Sequence, residues 1–264
     1  MTPHGLPPAA EATHPEAWTK ARLAAGHARA EDLVRRYHDA DTRALLTGML
    51  EGEFAGRIAL VSSFGAEAAV LLHLVATIAP STPVIFLNTG KLFGETLRYC
   101  QRLTNLLGLT DVRGVKPDED KIAAFDPDGV LWYGNPDMCC YLRKVEPLDH
   151  ALKGFDAWIT GRKGFHGGKR ANLPRIEVNL DDGRIKINPL ADWSKDDLEA
   201  YFARHDLPRH ELEEQGFLSI GCMTSNDRVA PGHDVPAGRW RGRDKTECGI
   251  HLPMSGKWQM NGID

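Results

Sequence analysis

The sequence RIALVSSFGAE at residues 57–67 carries the strongest fold signal in this 264-residue chain. A β-prone run from Arg57 to Ser63 ends in small residues and passes directly into an apolar helix, which we predict over Glu67 to Ala79. A strand that leads through a tight turn into a helix is the repeating unit of α/β proteins. The helix is too short to cross a membrane, because Pro80 ends it.

The unit of strand, turn and helix recurs further along the chain. Val84–Leu87 predicts a second strand, which leads through the polar turn 88–90 into a helix from Leu92 to Leu107. The other predicted elements are amphipathic helices within Glu16–Leu50, strands Val112–Val115 and Ala157–Thr160, a helix Cys139–Leu152, a hairpin of Arg175–Leu180 with Arg184–Ile187, and a helix Ser194–Arg204. This alternation predicts a doubly wound, mainly parallel sheet with ligands at the carboxyl ends of its strands.

Composition and charge are those of a globular enzyme or binding protein. The chain is 42% hydrophobic and 26% charged, and its formal net charge is −4. Disorder requires fewer apolar residues, and a general nucleic-acid binder carries a positive excess, so both classes are disfavoured. Residues 1–15 lack the basic and apolar regions of a signal peptide, so we expect a cytoplasmic protein without a membrane segment.

The turn Ser62-Ser63-Phe64-Gly65-Ala66-Glu67 is a candidate phosphate site. Backbone N–H groups and hydroxyls at the start of a helix stabilise an anionic phosphate. The alternative is a tight turn in which a serine only caps the helix. The Gly-Lys-Ser/Thr ending of a Walker loop is missing, so the turn alone does not specify the class of nucleotide.

Three cysteines form a candidate metal site. Cys139 and Cys140 are adjacent at the predicted start of a helix, and Cys222 lies in a turn of small residues. Five cysteines in a chain without an export signal favour metal ligation or thiol chemistry over disulfides. Thiolates at a helix N-terminus can bind one metal cluster, whereas the alternative is a set of buried core thiols. A serine, Ser225, stands where a cysteine would complete a Cys-x-x-Cys pair with Cys222.

Cys248 is a candidate nucleophile near the C-terminus. Four cationic residues closely precede it: Arg239, Arg241, Arg243 and Lys245. Nearby cations lower the pKa of a thiol and attract anionic substrates. The alternative is an incidental exposed cysteine on a basic segment. Cys100, inside a predicted helix, is interpreted as a core residue.

Taken together, these segments resemble the assimilatory adenylyl-sulfate and phosphoadenylyl-sulfate reductases, which are thioredoxin-dependent enzymes. The ordered matches are SSFGAE at 62–67, TGKLF at 89–93 with ET at 95–96, CC at 139–140 with RKVEPL at 143–148, WITGRK at 158–163, NPLADW at 188–193, SIGC at 219–222, AGRW at 237–240 and ECGIH at 247–251. The resemblance implies a fold of the adenine nucleotide alpha hydrolase-like type, with a modified PP-loop at 62–67. It also implies three segments: a flexible tail, 1–15, a nucleotide-binding α/β reductase domain, 16–235, and a mobile catalytic segment, 236–264.

The same resemblance implies an activity and a role for each candidate residue. The activity is reduction of adenylyl sulfate or 3′-phosphoadenylyl sulfate to sulfite in sulfate assimilation and cysteine biosynthesis. Cys248 would form an S-sulfocysteine that thioredoxin discharges, and His251 would orient the phosphosulfate. The implied substrate-binding residues are Ser62, Ser63, Phe64, Gly65, Gly90, Lys144, Arg162, Arg239 and Arg243. Cys139, Cys140 and Cys222 would bind a 4Fe-4S cluster, as in the branch that prefers adenylyl sulfate.

The chain departs from the family pattern at four positions, which are Asn88, Ala68, Gly164 and Ser225. Because a serine oxygen ligates iron less readily than a thiolate, the expected cluster is labile, reduced to three irons or absent. The departures favour one rival reading, a degenerate paralogue that binds nucleotide or senses redox state without efficient turnover. A second rival, a PP-loop ATP pyrophosphatase, has a Ser-Gly-Gly-x-Asp-Ser loop that this sequence does not match. Family members often associate, so a homo-oligomer is expected.

Overall fold

A computed structural model of the chain describes residues 15–166, 170, 172–229 and 249–251. The predicted flexible tail lies outside the described residues except for Pro15, where the first helix begins. Of the predicted catalytic segment, only 249–251 is described. Within the described ranges, no helix is both long and apolar enough to span a membrane.

One six-stranded sheet organises the chain. Its strands are β1 Ile58–Ser62, β2 Val84–Leu87, β3 Val112–Val115, β4 Ala157–Thr160, β5 Ile176–Val178 and β6 Ile185–Ile187. They lie in the order β3-β2-β1-β4-β6-β5, and every neighbouring pair is parallel except β5 with β6. The structure therefore confirms the predicted doubly wound, mainly parallel sheet and its antiparallel hairpin.

Helices cover both faces of this sheet. They are α1 Pro15–Arg36, α2 Thr42–Thr47, α3 Ala68–Ala76, α4 Gly94–Leu107, α5 Glu119–Phe125, α6 Leu131–Gly134, α7 Pro136–Cys140, α8 Glu146–Ala151 and α9 Lys195–Arg204. Because side chains alternate along a strand, Ile58 and Leu60 point into the main core with α1 to α4 and α9, while Ala59 and Val61 join a smaller cluster under α8. All of β1 is buried, as in a parallel sheet covered on both sides.

The helix predicted at Cys139–Leu152 begins earlier than the sequence indicated. The Asn135 side chain accepts a hydrogen bond from the backbone N of Met138, and Pro136 occupies the first helical position. From there α7, a π-helical turn at Tyr141–Val145 and α8 follow one another without interruption. Cys139 and Cys140 therefore lie three and four residues after the first residue of this helical run, within its first two turns.

A buried histidine fixes the segment that follows α9. His210 is fully buried, and its Nδ1 accepts a hydrogen bond from the backbone N of Leu212 at 3.2 Å. Its Nε2 therefore carries the proton and lies 3.2 Å from the Thr96 hydroxyl on α4. Burial lowers the pKa of His210 to about 4. The ring stays neutral at physiological pH, and its two hydrogen bonds attach residues 210–212 to α4.

This histidine predicts a loss of stability in mild acid. Since the unfolded chain takes up a proton near pH 6.5 and the folded chain near pH 4, the unfolding free energy falls as the pH drops through that window. We expect the wild type to lose about 2 kcal/mol more than His210→Gln between pH 7.5 and pH 5. Urea unfolding at both pH values measures this difference. His38 is exposed, so His38→Gln serves as the control. An equal loss of unfolding free energy between pH 7.5 and pH 5 in the wild type and in His210→Gln would contradict the prediction.

Candidate active site

A cavity of about 230 Å³ opens at the carboxyl ends of β1, β2 and β4. It lies at the sheet edge where the sequence predicted the ligand. Six of the predicted site residues line it: Ser62, Ser63, Gly65, Lys144, Arg162 and His251. The structure thus brings residues from four separate parts of the chain to one site.

The turn after β1 forms one wall of this cavity. The Ser62 hydroxyl accepts a hydrogen bond from the backbone N of Phe64 at 3.2 Å, so it stabilises the turn and does not cap α3. Phe64 has a φ of +48°, while its side chain is fully buried and packs edge-on against Phe86. A Cβ on Gly65 would lie 2.9 Å from the Ile220 carbonyl oxygen, so only glycine permits this close approach. The turn is therefore fixed with its backbone beside the cavity.

Two predicted substrate-binding residues contribute to the turns without lining the cavity. The side chain of Phe64 points into the core. Gly90 follows β2 with a φ of +70°, and its N–H donates to the Asn88 side chain at 3.3 Å. Both residues have backbone conformations that glycine adopts readily and other residues rarely adopt. Their contribution to the site is the shape of the backbone.

Buried cations give the cavity its charge. Lys144, Arg162 and Lys163 are each less than 10% exposed, and all three line the cavity. Lys163 lies 2.5 Å from Glu67, and burial lowers the pKa of this lysine while Glu67 opposes the shift. Several cations around a concave, partly dehydrated surface attract an anionic ligand.

A polar network beneath the cavity orients Arg162. Its guanidinium forms an ion pair with Glu177 on β5 and donates to the Asn188 side-chain oxygen at 3.3 Å. The Thr160 hydroxyl also donates to that oxygen, at 2.5 Å, and the Asn188 amide donates to Glu177 at 3.1 Å. Asn188 is fully buried and directly follows β6, so this network joins β4, β5 and the end of β6 under the cavity.

The three predicted metal ligands are buried close to one another. Cys222 forms a β-bridge with Leu92, and its sulfur lies 3.4 Å from the Thr89 hydroxyl. Burial raises the pKa of Cys139, and the charge of Cys222 adds to the increase. Cys140, next in sequence to Cys139, is also buried. Burial therefore favours the protonated thiol at Cys139.

The spacing of the donor side chains determines what kind of metal group they could hold. Among the described residues, no three His, Cys, Asp or Glu side chains gather closely enough to hold one ion. In a cluster each thiolate binds a different iron, so wider spacing is acceptable. Arg143 is paired with Asp126 at 2.6 Å, and its charge opposes the burial-driven rise in the pKa of Cys139. The Nε of Arg143 is buried without a hydrogen-bond partner among the described residues. The hydroxyl of Ser225 donates to the Cys222 carbonyl at 3.2 Å.

The C-terminal part of the candidate site is described in part. Ile250 and His251 line the cavity, and Gly249 is buried. The predicted nucleophile Cys248, and the predicted substrate-binding residues Arg239 and Arg243, lie outside the described residues. The described triplet 249–251 therefore shows where the chain continues directly after Cys248.

Sequence reasoning left several cavity residues without a role. Thr89, Trp158 and Lys163 belong to matched segments, yet no function was assigned to them. Residues 218–221 form a further wall, and only the motif at 219–222 indicated it. A signal was present, since Thr89 and Lys163 are polar residues two and three positions after the ends of predicted strands.

Comparisons with known proteins agree in one family. A family model described as a phosphoadenosine phosphosulfate reductase domain matches residues 57–227. An adenosine 5′-phosphosulfate reductase of Mesorhizobium japonicum is 50% identical over 199 residues, which are 75% of this chain and 78% of the relative. A reductase of the same name from Streptomyces coelicolor is 37% identical over 227 residues, covering 84% and 93%. The crystal structure of phosphoadenylyl-sulfate reductase from Candida auris in a phosphate complex superposes with a TM-score of 0.63 at 28% identity, covering 74% and 95%.

Proposed function

The chain belongs to the phosphoadenosine phosphosulfate reductase domain family, and we propose on that basis that it reduces adenylyl sulfate to sulfite and AMP. It is an oxidoreductase that acts on a sulfur group, with the adenine nucleotide alpha hydrolase-like fold of this family. The relatives include enzymes named for each of the two nucleotides, adenylyl sulfate and its 3′-phosphorylated form. The paired cysteines 139 and 140 favour adenylyl sulfate.

One observation carries the proposal: the cationic cavity at the PP-loop. The backbone of 62–67 and the buried cations Lys144 and Arg162 surround a space at the carboxyl edge of the sheet. A phosphosulfate carries negative charge on both its phosphate and its sulfate group, so the N-terminus of a helix and several buried cations would stabilise it. His251 lines the same cavity, which supports a reacting group on the C-terminal segment.

The proposed chemistry takes place in two displacements. The Cys248 thiolate attacks the sulfur of the phosphosulfate, an S–S bond forms, and the S–O bond breaks as AMP leaves with the electron pair. A thioredoxin thiolate then attacks the Cys248 sulfur, and sulfite leaves with the electron pair of the S–S bond. The second thiol of thioredoxin resolves the mixed disulfide. The thioredoxin dithiol is oxidised to a disulfide, while the sulfur of the sulfate group is reduced by two electrons to the level of sulfite.

The other predicted residues have supporting roles in this chemistry. Lys144, Arg239 and Arg243 would bind the oxygens of the phosphosulfate and offset the charge that develops on the leaving phosphate. His251 would orient the same group. Segment 236–264 would carry the nucleophile over a nucleotide held by domain 16–235. A cytoplasmic location, homo-oligomerisation and the absence of nucleic-acid or membrane partners stay predictions.

The cysteines Cys139, Cys140 and Cys222 would hold a four-iron, four-sulfur cluster. When bound, such a cluster supplies a charged centre next to Lys144, whose neighbour Arg143 lies beside Cys139. The fourth position would fall on Ser225, whose hydroxyl is occupied by the Cys222 carbonyl. We therefore propose a site with three firm thiolate ligands and a weak fourth ligand.

Substituting Ser225→Cys should increase the iron and sulfide bound after anaerobic purification. A thiolate is a better ligand for iron than a serine oxygen, and residue 225 is buried on the same turn as Cys222. Iron and acid-labile sulfide analysis, with Thr224→Cys as the matched control on that turn, measures the effect. Unchanged iron content in Ser225→Cys would mean that the fourth ligand does not limit cluster binding.

An activity assay separates the proposed function from its rivals. Sulfite formation is followed with reduced thioredoxin and either adenylyl sulfate or its 3′-phosphorylated form. Turnover with adenylyl sulfate, faster than with the 3′-phosphorylated nucleotide, is the expected result. Nucleotide binding without sulfite formation would favour the degenerate paralogue, the rival that the departures at Asn88, Ala68 and Ser225 support. Release of pyrophosphate from ATP would favour the pyrophosphatase.

A further inference from the structure

The triplet Gly249–His251 packs on the sheet face opposite the main core. Ile250 packs against the apolar cluster under α8 that contains Trp158. Gly249 is buried, and Gly249 and Ile250 both line a small cavity of about 40 Å³ beside Trp158. The triplet also contacts the π-helical turn that precedes α8. The chain is therefore anchored immediately after Cys248.

Trp158 is the residue that joins these contacts to the active site. Its side chain is buried on β4, and it lines both the large cavity and the small one. The His251 ring lies parallel to the indole, with an interplanar angle of 2° and 6.0 Å between ring centroids. The Lys186 ammonium on β6 lies 5.0 Å from the indole centroid, within the range of a cation–π contact.

Packing alone does not explain a tryptophan at this position. The indole Nε1 is buried and has no hydrogen-bond partner within the described part of the chain. A buried N–H without a partner costs free energy, which a phenylalanine at this position would avoid, although its smaller ring would leave part of the space empty. The large ring of Trp158 instead provides a flat surface for the His251 ring and an apolar neighbour for Ile250.

We propose that Trp158 is a positioning residue that docks Ile250 and His251, the second and third residues after Cys248, and thereby speeds attack by Cys248 on the bound nucleotide. The inference rests on the function proposed above. A thiolate on an undocked segment must find the phosphosulfate by diffusion of the chain, whereas a docked one reacts within a fixed geometry. Loss of the docking contacts therefore slows attack by Cys248 on nucleotide that is already bound.

The test compares Ile250→Ala and Trp158→Leu with Phe155→Leu. Phe155 packs on the same apolar cluster but does not line the small cavity with Gly249 and Ile250, so it controls for a weakened core. Trp158→Phe is the conservative variant that keeps an aromatic face. Three quantities are measured: the single-turnover rate of Cys248 sulfonation by saturating adenylyl sulfate without thioredoxin, the dissociation constant of AMP, and amide hydrogen exchange over 249–251.

We expect Ile250→Ala and Trp158→Leu to slow sulfonation by about tenfold or more and to accelerate exchange over 249–251. Because Trp158 and Ile250 also line the large cavity, the dissociation constant of AMP is measured for each variant, and the sulfonation rate at saturating nucleotide separates attack from binding. Phe155→Leu should resemble the wild type, and Trp158→Phe should lie between the wild type and Trp158→Leu.

Two results would overturn the docking role. The first is sulfonation in Ile250→Ala and Trp158→Leu as fast as in Phe155→Leu, which refutes docking while the reductase function stands. The second is unchanged hydrogen exchange over 249–251 in Trp158→Leu, which refutes docking even if the wild type is not sulfonated. A wild type that is not sulfonated at all refutes the proposed function instead.

Discussion

Cys248→Ser is expected to abolish sulfite formation, with activity reduced by about 10⁴-fold or more. A serine hydroxyl does not ionise near neutral pH and is a much weaker nucleophile than a thiolate, so no S-sulfo intermediate forms. Thioredoxin then has no sulfur–sulfur bond to attack. AMP should still bind, because the PP-loop and the buried cations of the cavity are unchanged. Sulfite release and calorimetric titration with AMP measure the two effects.

Cys100→Ser is the matched control for this experiment. Cys100 is a half-buried thiol of α4, and burial raises its pKa to about 11, which keeps it protonated and unreactive. Near wild-type activity is expected for Cys100→Ser. Appreciable turnover by Cys248→Ser would reject the assignment of the nucleophile, and a weakened affinity for AMP in that variant would show a structural defect instead.

The second large effect is expected for Lys144→Met. Lys144 is 9% exposed and lines the cavity, so its charge acts in a partly dehydrated site. Removing one group that stabilises developing charge in such a site lowers activity by about 10²–10³-fold. Methionine has a similar length, so the packing of the π-helical turn is largely retained. Steady-state kinetics with adenylyl sulfate should show the loss in kcat/KM.

Lys153→Met provides the control for charge alone. Lys153 lies just after α8 and is exposed, so its removal changes the net charge by the same amount without altering the cavity. Its kcat/KM should stay within about threefold of the wild-type value. A comparable loss in both variants would mean that general electrostatic attraction, and not a contact by Lys144, explains the effect.

Much of the fold was accessible from the sequence because its signals are local. The β1 run and the turn after it predicted the parallel sheet, and the paired runs Arg175–Leu180 and Arg184–Ile187 predicted the antiparallel hairpin. The start of the helix that holds Cys139 was predicted three residues too late, because the capping side chain of Asn135 and the ring of Pro136 set it. The short helices α5 and α6 were missed, since four to seven residues hold too little periodicity to detect.

The site was predictable in its residue types but not in its contacts. Phe64 was expected to bind substrate, and its side chain instead packs in the core against Phe86. The pairing of Arg162 with Glu177 joins residues that are close only after β5 and β6 form their hairpin. Likewise, nothing in the local sequence around Trp158 indicates that the ring of His251 packs against it.

Intact-protein mass spectrometry tests the central claim most directly. The protein is incubated anaerobically with adenylyl sulfate in the absence of thioredoxin, and the modified residue is mapped by peptide analysis. The predicted result is one added sulfonate group on Cys248, which disappears when reduced thioredoxin is supplied. Folded protein that binds AMP and acquires no sulfonate, from this nucleotide or its 3′-phosphorylated form, would contradict the account.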